Sequence, residues 1–312
     1  MMDWTDRHCR YFHRALTHHA LLYSEMVVDQ ALLYGDVRRH LDYSAVEKPL
    51  ALQLGGSDPQ ALARAAVVAL PYGYDEINLN VGCPSDRVQS GTFGAVLMKQ
   101  PELVGACVAA IRKVVDIPVT VKCRIGVDEQ DVEPALSELA ANVFDNGCDG
   151  LWVHARKAWL EGLSPRENRA VPPLDYDRVY RLKQEWPGRF IGINGGIGSL
   201  REALRHLEVM DGVMLGRAAY HEPEILRHVD QAVYGAPDEP VTYAELCKTM
   251  MDYTASHLAR GGRVNHVTRH MLGLFHGVPG ARKYRQIMTV DSCKADATEE
   301  VIGRAFASVL DR

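Results

Sequence analysis

Glu76-Ile-Asn-Leu-Asn-Val-Gly-Cys-Pro84 reads as a buried strand that runs straight into a cysteine held between Gly82 and Pro84. A strand of a parallel sheet delivers its last side chains to a rim where ligands bind, so Asn80 and Cys83 arrive there on a rigid support. The next run, Ser85-Asp-Arg-Val-Gln-Ser-Gly-Thr-Phe-Gly94, is polar, with Gly91 and Gly94 available as hinges. It predicts a loop able to fold over a substrate.

Outward from this stretch, short apolar segments recur at 20–28, 49–56, 119–125, 150–154, 190–197 and 212–216. Between most of them lie stretches with apolar residues at three-to-four spacing, at 59–70, 101–115, 132–146, 176–185 and 199–207. Repeated strand–helix units demand a parallel sheet covered by helices, and this number in so few residues predicts a (β/α)8 TIM barrel better than a doubly wound sheet. The pattern stops at Tyr234-Gly-Ala-Pro-Asp-Glu-Pro240, which reads as a linker. Beyond it Thr242 and Glu245 have the spacing of a capping box, and only helical periodicity follows. The expected division is a barrel domain over 1–235 and a small all-helical domain over 241–312.

With 47% hydrophobic and 24% charged residues, the composition is that of a soluble globular protein. No apolar run approaches the roughly 20 residues that cross a bilayer. The charged N-terminus lacks the apolar stretch of a secretory signal, so a cytoplasmic location is expected. The 7 cysteines are odd in number and contain no C-x-x-C pair, which favours free thiols over disulfides or a structural zinc site. A net charge of −5 is mildly acidic, yet Tyr253 to Val290 holds no Asp or Glu while carrying Arg260, Arg263, Arg269, Arg282, Lys283 and Arg285 together with His257, His266, His270 and His276. That segment reads either as a surface for a polyanion or as a solvated basic face.

Barrel active sites are built at the carboxyl ends of the strands. The residues there are Glu25 or Met26, Gln53, Asn78 or Asn80, Lys122 and Arg124, His154 and Arg156, Asn194, and Arg217. Polar and cationic groups are costly to bury, so they point to a ligand with acceptor atoms and negative charge. Asn194-Gly-Gly196 and Gly216-Arg217 occupy the two loops that form the common phosphate site of such barrels. A cation such as Lys122 beside a flat conjugated ring would stabilise developing negative charge during reduction. Together these residues suggest a phosphorylated aromatic cofactor, FMN ahead of pyridoxal phosphate; spacing alone leaves both open.

Thr5-Asp-Arg-His8, Glu25-Met26, Leu52-Gln-Leu-Gly-Gly-Ser57, Glu76–Pro84, His154-Ala-Arg156, Asn194-Gly-Gly196 and Gly216-Arg217 together resemble the tRNA-dihydrouridine synthases. The stretches 81–87, Lys157-Ala-Trp159 and Leu163–Arg169 resemble the bacterial DusA subfamily, and the similarity covers nearly the whole chain. The resemblance implies FMN-dependent reduction of a uridine in the tRNA D-loop, at positions 20 and 20a, with NADPH as electron source; the cysteine pattern calls for no metal. The resemblance makes Cys83 the proton donor to C5 of uracil, while reduced FMN gives hydride to C6. A thiol suits that task, because an ordinary thiol pKa of about 8.5 keeps it mostly protonated near neutrality yet able to release the proton.

The resemblance further assigns the flavin to Gln53, Lys122, His154, Asn194, Gly195, Gly196, Gly216 and Arg217, and places Asn80 and Arg156 beside the base. A uracil that leaves its stack requires a grip on the flanking backbone, for which Arg166, Arg169, Arg263, Arg269, Arg282, Lys283 and Arg285 are candidates. Family members begin with a strand ending in Ala-Pro-Met. This chain begins at Met1-Met-Asp-Trp, so Met1 stands where that flavin-contacting methionine is expected and the first barrel strand is expected to be missing. Two other functions remain open at this point: an FMN-barrel oxidoreductase of a free pyrimidine, and a tRNA-binding module without catalysis.

Overall fold

The structure is a computed structural model that describes residues 1–84, 93–237 and 239–311. Most of the predicted loop, Ser85 to Thr92 with its Gly91 hinge, lies outside the described residues. Gly94 adopts a left-handed φ of 72° and opens the short 3-10 helix Gly94–Lys99. The described residues group into two compact units, Tyr23–Tyr43 with Lys48–Gly216, and Met1–Leu22 with Ser44–Glu47 and Arg217–Arg312.

The first unit carries one sheet whose strands follow chain order: β1 (Leu22–Val28), β2 (Leu50–Gly55), β3 (Glu76–Val81), β4 (Val119–Arg124), β5 (Gly150–His154), β6 (Phe190–Asn194) and β7 (Gly212–Met214). Pairing from β2 through β7 is parallel throughout. Helices Pro59–Ala69, Pro101–Arg112, Val132–Asp145, Tyr176–Glu185 and Leu200–Leu207 alternate with the strands, giving the TIM-like α/β order expected from the sequence. Four of them start at a side-chain cap, Asp58, Asp131, Asp175 and Ser199, each accepting from a backbone N–H in the first turn.

Because strand side chains alternate, the register sorts the sheet into two chemically different faces. One holds Leu52, Leu54, Ile77, Leu79, Val121, Cys123, Leu151, Val153, Ile191 and Ile193, all essentially solvent-free. The other is polar and stacks in rows across the strands. Gln53, Asn78, Thr120, Gly150 and Phe190 form one row; Asn80, Lys122, Trp152, Gly192 and Gly212 the next; Arg124, His154, Asn194 and Met214 the row nearest the carboxyl rim. Large and small residues interlock along these rows. A Cβ on Gly192 would lie 2.2 Å from the Trp152 ring, and one on Gly150 2.8 Å from Phe190, so glycine at both positions makes room for an aromatic neighbour.

The second unit is helical. The predicted capping box forms at helix Tyr243–Leu258, with Glu245 N donating to Thr242 Oγ1 (3.2 Å) and Thr242 N to Glu245 Oε2 (2.9 Å). Phe275, Tyr284 and Phe306 pack edge-to-face at its core. Helix Arg7–Arg14 belongs to this unit: Tyr11 stacks on Tyr253 at 3.8 Å, and Arg10 pairs with buried Glu47 at 2.8 Å. Asp6 caps that helix through His8 N and Cys9 N and also pairs with Arg269 and His270. Among the described residues, no helix is long and apolar enough to cross a membrane.

Candidate active site

Cys83 stands two residues beyond the end of β3, half-buried, on a turn held from both sides. Asn80 Oδ1 accepts from Gly82 N (3.1 Å) and Cys83 N (3.0 Å), an Asx-type turn that fixes the cysteine's backbone. Opposite, Arg124 Nε donates to Gly82 O at 3.1 Å. The same guanidinium donates through Nη1 to Asn168 O (3.0 Å) and Lys157 O (3.3 Å), so one buried cation joins the cysteine turn to the loop after β5. Burial lowers the Arg124 pKa to about 10; neighbouring Arg169 and Arg156 push it the same way, and Cys83 opposes them.

Below the cysteine, a chain of amides lines the polar face. Asn80 Nδ2 donates to Gln53 Oε1 (2.8 Å), Gln53 Nε2 to Asn78 Oδ1 (2.9 Å), and Asn78 Nδ2 to Thr120 Oγ1 (2.8 Å). Thr120 Oγ1 (2.5 Å) and Tyr23 Oη (2.7 Å) both donate to Glu76 Oε1, which closes the chain at the far end of the strands. Burial raises the Glu76 carboxyl above its ordinary value, and hydrogen bonds from Thr120 and Tyr23 partly offset that rise.

Lys122 sits in the middle row between Asn80 and Trp152. Its ammonium makes no hydrogen bond or ion pair among the described residues. Burial, reinforced by the charge of Arg124, lowers its pKa to about 8. A cation held on a polar face without a protein partner is a site waiting for an acceptor. On the row above, buried His154 faces the glycine loop, where a Cβ on Gly195 would come within 3.3 Å of its ring. Gly195 and Gly196 have φ of 116° and 70°, and a Cβ on Gly196 would reach 2.6 Å from Leu174. Side chains are therefore excluded there and the backbone stays bare. Asn194 Nδ2 donates to Met214 O (2.6 Å), tying β6 to β7 just below this loop.

A lysine without a partner among the described residues, amide side chains and a side-chain-free double-glycine loop are the donor set an FMN requires: a charge and N–H groups for its ring acceptors, and open backbone for its phosphate. The residues present fit that group. Comparison with known proteins gives the family. The model of the dihydrouridine synthase (Dus) family matches residues 1–309. The chain is 54% identical over 309 residues to the tRNA-dihydrouridine(20/20a) synthase of Shewanella oneidensis, covering 99% of this chain and 92% of that one. It is 53% identical over 313 residues to the protein of the same name from Escherichia coli K12, covering 100% and 90%. For that from Vibrio parahaemolyticus the identity is 52% over 310 residues, covering 99% and 95%.

The chain belongs to the dihydrouridine synthase family.

In this Dus protein, Gln53, Asn80, Cys83, Lys122, His154, Asn194, Gly195 and Gly196 come together on or beside one face of one sheet. Gly216 ends the same unit, whereas Met1 and Arg217 belong to the helical one. Arg156, half-buried, donates to Pro172 O, Arg169 is half-buried, and Arg166 is exposed. In the helical unit Arg282, Lys283 and Arg285 are exposed and make no ion pair among the described residues, Arg263 donates to Cys293 O (3.3 Å), and Arg269 pairs with Asp6 at 2.5 Å.

Two contributors escaped the sequence reading. Trp152 fills the middle row, signalled only by glycines at the register positions 192 and 212. Asn168, fully buried, accepts from Trp159 N (2.7 Å) and donates to Trp159 O (2.8 Å) and Leu163 O (3.0 Å), shaping the loop that carries Arg166 and Arg169.

Proposed function

We propose that this chain reduces uridine in tRNA to 5,6-dihydrouridine, with FMN as bound cofactor, NADPH as electron source, and positions 20 and 20a of the D-loop as targets. The target positions are those in the names of its relatives. The observation that carries the reading is the cysteine turn: Cys83 is fixed by Asn80 and Arg124 beside a polar face whose lysine has no partner among the described residues.

When bound, reduced FMN supplies the hydride that adds to C6 of the uracil. Cys83 supplies the other hydrogen: its S–H bond breaks, a C5–H bond forms, and the thiolate regains a proton from solvent. Asn80 serves twice, presenting its amide at the edge of the base site and holding the cysteine's backbone N–H. Lys122, Gln53, His154 and Asn194 bind the ring, and Lys122 stabilises negative charge on it. Gly195, Gly196 and Gly216, with Arg217 next in the chain, take the phosphate. Arg124, Arg156 and Arg169 feel one another's charge, and the electropositive rim they create draws the tRNA backbone toward Cys83. Arg166 makes a further contact to the tRNA backbone, and on the helical unit Arg263, Arg269, Arg282, Lys283 and Arg285 make contacts of their own.

The test is Cys83→Ala in the holoenzyme. The variant should keep its flavin absorption and its tRNA affinity and lose dihydrouridine formation; undiminished turnover would remove Cys83 from the chemistry.

A further inference from the structure

Outside the active site, the helical unit gathers three histidines whose role the reduction of uridine does not absorb. His8 lies in helix Arg7–Arg14, His257 in the last turn of helix Tyr243–Leu258, and His266 in helix Val264–Thr268. One ring nitrogen from each lies within 4.8 Å of the other two. His257 Nε2 and His266 Nδ1 already stand 3.1 Å apart. In a tetrahedral zinc site with metal–nitrogen bonds of roughly 2.0–2.1 Å, ligand nitrogens are about 3.3 Å apart, so the pair is near the required spacing and His8 needs a shift of about an ångström.

The surroundings orient the rings for ligation. His8 Nδ1 is engaged with Tyr253 Oη at 2.8 Å, so donation from Nδ1 leaves the Nε2 lone pair free, the arrangement in which a metal-bound histidine is held by a neighbour. The His257 ring is backed by the chain at Gly262, where a Cβ would come within 2.1 Å of it, and it meets the His8 ring edge-on at 4.4 Å. Asp6 attracts positive charge to His8, while Arg7 and Arg260 oppose it at His257. That mixed field disfavours hard ions bound by charge alone and leaves the advantage to cations that prefer imidazole nitrogen.

We propose that His8, His257 and His266 form a binding site for a zinc-class divalent transition-metal ion, with a fourth position open to water. Such an ion ties the N-terminal helix to the two helices on either side of the Ala259–Arg263 turn. Because it joins groups far apart in the sequence and binds only the folded unit, its loading stabilises that unit.

The test uses the full chain without a polyhistidine tag. Zn2+ is titrated by calorimetry, and Co2+ is followed by its visible ligand-field bands, with Mg2+ as control. The expected result is one saturable equivalent of Zn2+ and Co2+, no response to Mg2+, and a higher melting temperature with Zn2+. His266→Ala should weaken binding at least tenfold and abolish the melting shift, because His266 is exposed and its metal-free fold should melt where the parent does. Tyr253→Phe should weaken binding less. The proposal is overturned by absence of saturable binding, by one full equivalent retained in His266→Ala, or by a near-ultraviolet thiolate band showing that a cysteine such as exposed Cys293 is the ligand.

Discussion

Replacing Lys122 by methionine should stabilise the flavin-free protein near pH 7, although it removes a residue proposed to hold the cofactor. The ammonium occupies the polar face without a hydrogen bond or ion pair among the described residues, and burial with repulsion from Arg124 brings its pKa from 10.5 to about 8. Below pH 8 the lysine is charged in both the folded and the unfolded chain, so the folded state bears the full penalty. Between pH 8 and 10.5 the unfolded chain binds the extra proton, stability rises with pH, and the penalty fades. Taken whole, the lowering corresponds to about 3 kcal/mol. Solvent screening of a half-buried group reduces this to about 1–2 kcal/mol. Methionine has nearly the same length and no charge, so the variant should gain that amount at pH 7 and roughly a quarter of it at pH 10. Urea unfolding of both proteins at the two pH values, followed by circular dichroism and tryptophan fluorescence, measures the difference directly. A variant less stable than its parent at pH 7, or a difference that does not change with pH, would refute the reasoning. The same substitution should weaken flavin binding, separating the stability of the site from its use.

Arg124→Lys keeps the charge but replaces a fork that reaches three carbonyls with a single ammonium. We expect a loss of about 2–4 kcal/mol in urea unfolding and at least a tenfold fall in kcat with little change in tRNA affinity, because the cysteine turn loses its outer support. Asp6→Ala removes a helix cap and the pairs to Arg269 and His270. Burial alone would raise the Asp6 carboxyl, but His270, Cys9 N–H and Arg269 outweigh it and hold it well below the usual range. Its stabilisation is therefore complete above about pH 4 and lost as pH falls further, so melting curves of variant and parent should differ by about 1–3 kcal/mol at pH 7 and converge in acid. Reversing the charge of exposed Arg282, Lys283 and Arg285 together should reduce the slope of log tRNA affinity against log salt by about 2; an unchanged slope would return them to a solvated face.

How much of this was legible in the sequence depended on whether a feature leaves a periodic trace. The strands did. Each of the seven apolar segments became a strand, with ends trimmed by one to three residues except at β5, where Gly150–His154 forms as read. Strand-end position singled out Asn80, Lys122, His154 and Asn194, and the register sets them on one face, because a period of two leaves no freedom once the register is set. Contacts from a side chain to a distant backbone carbonyl leave no such trace. Arg124 reaches Gly82 and Asn168, 42 and 44 positions away, and nothing in the spacing of either segment announces it. Asn168 sits in a loop with no period at all. The partnership of helix Arg7–Arg14 with the C-terminal helices rests on Asp6, Tyr11 and Arg10 meeting residues from other parts of the chain, which is equally silent in a linear reading.

The alternation that builds the site also sorts the reactive groups of the chain. Cys123 lies between Lys122 and Arg124 in sequence but points to the apolar face, where burial pushes its thiol up to about 12; Cys148 and Cys107 are driven to about 12 in the same way. These thiols behave as small apolar side chains and are chemically quiet. Cys83 stands past the last hydrogen-bonded residue of β3, outside the packed face, with its backbone committed to Asn80. What separates Cys83 from these structural cysteines is therefore a matter of position. Extending β3 through residue 83 would pair the cysteine into the ladder and bury it, whereas the glycine at 82 and the proline at 84 leave it beyond the end of the strand.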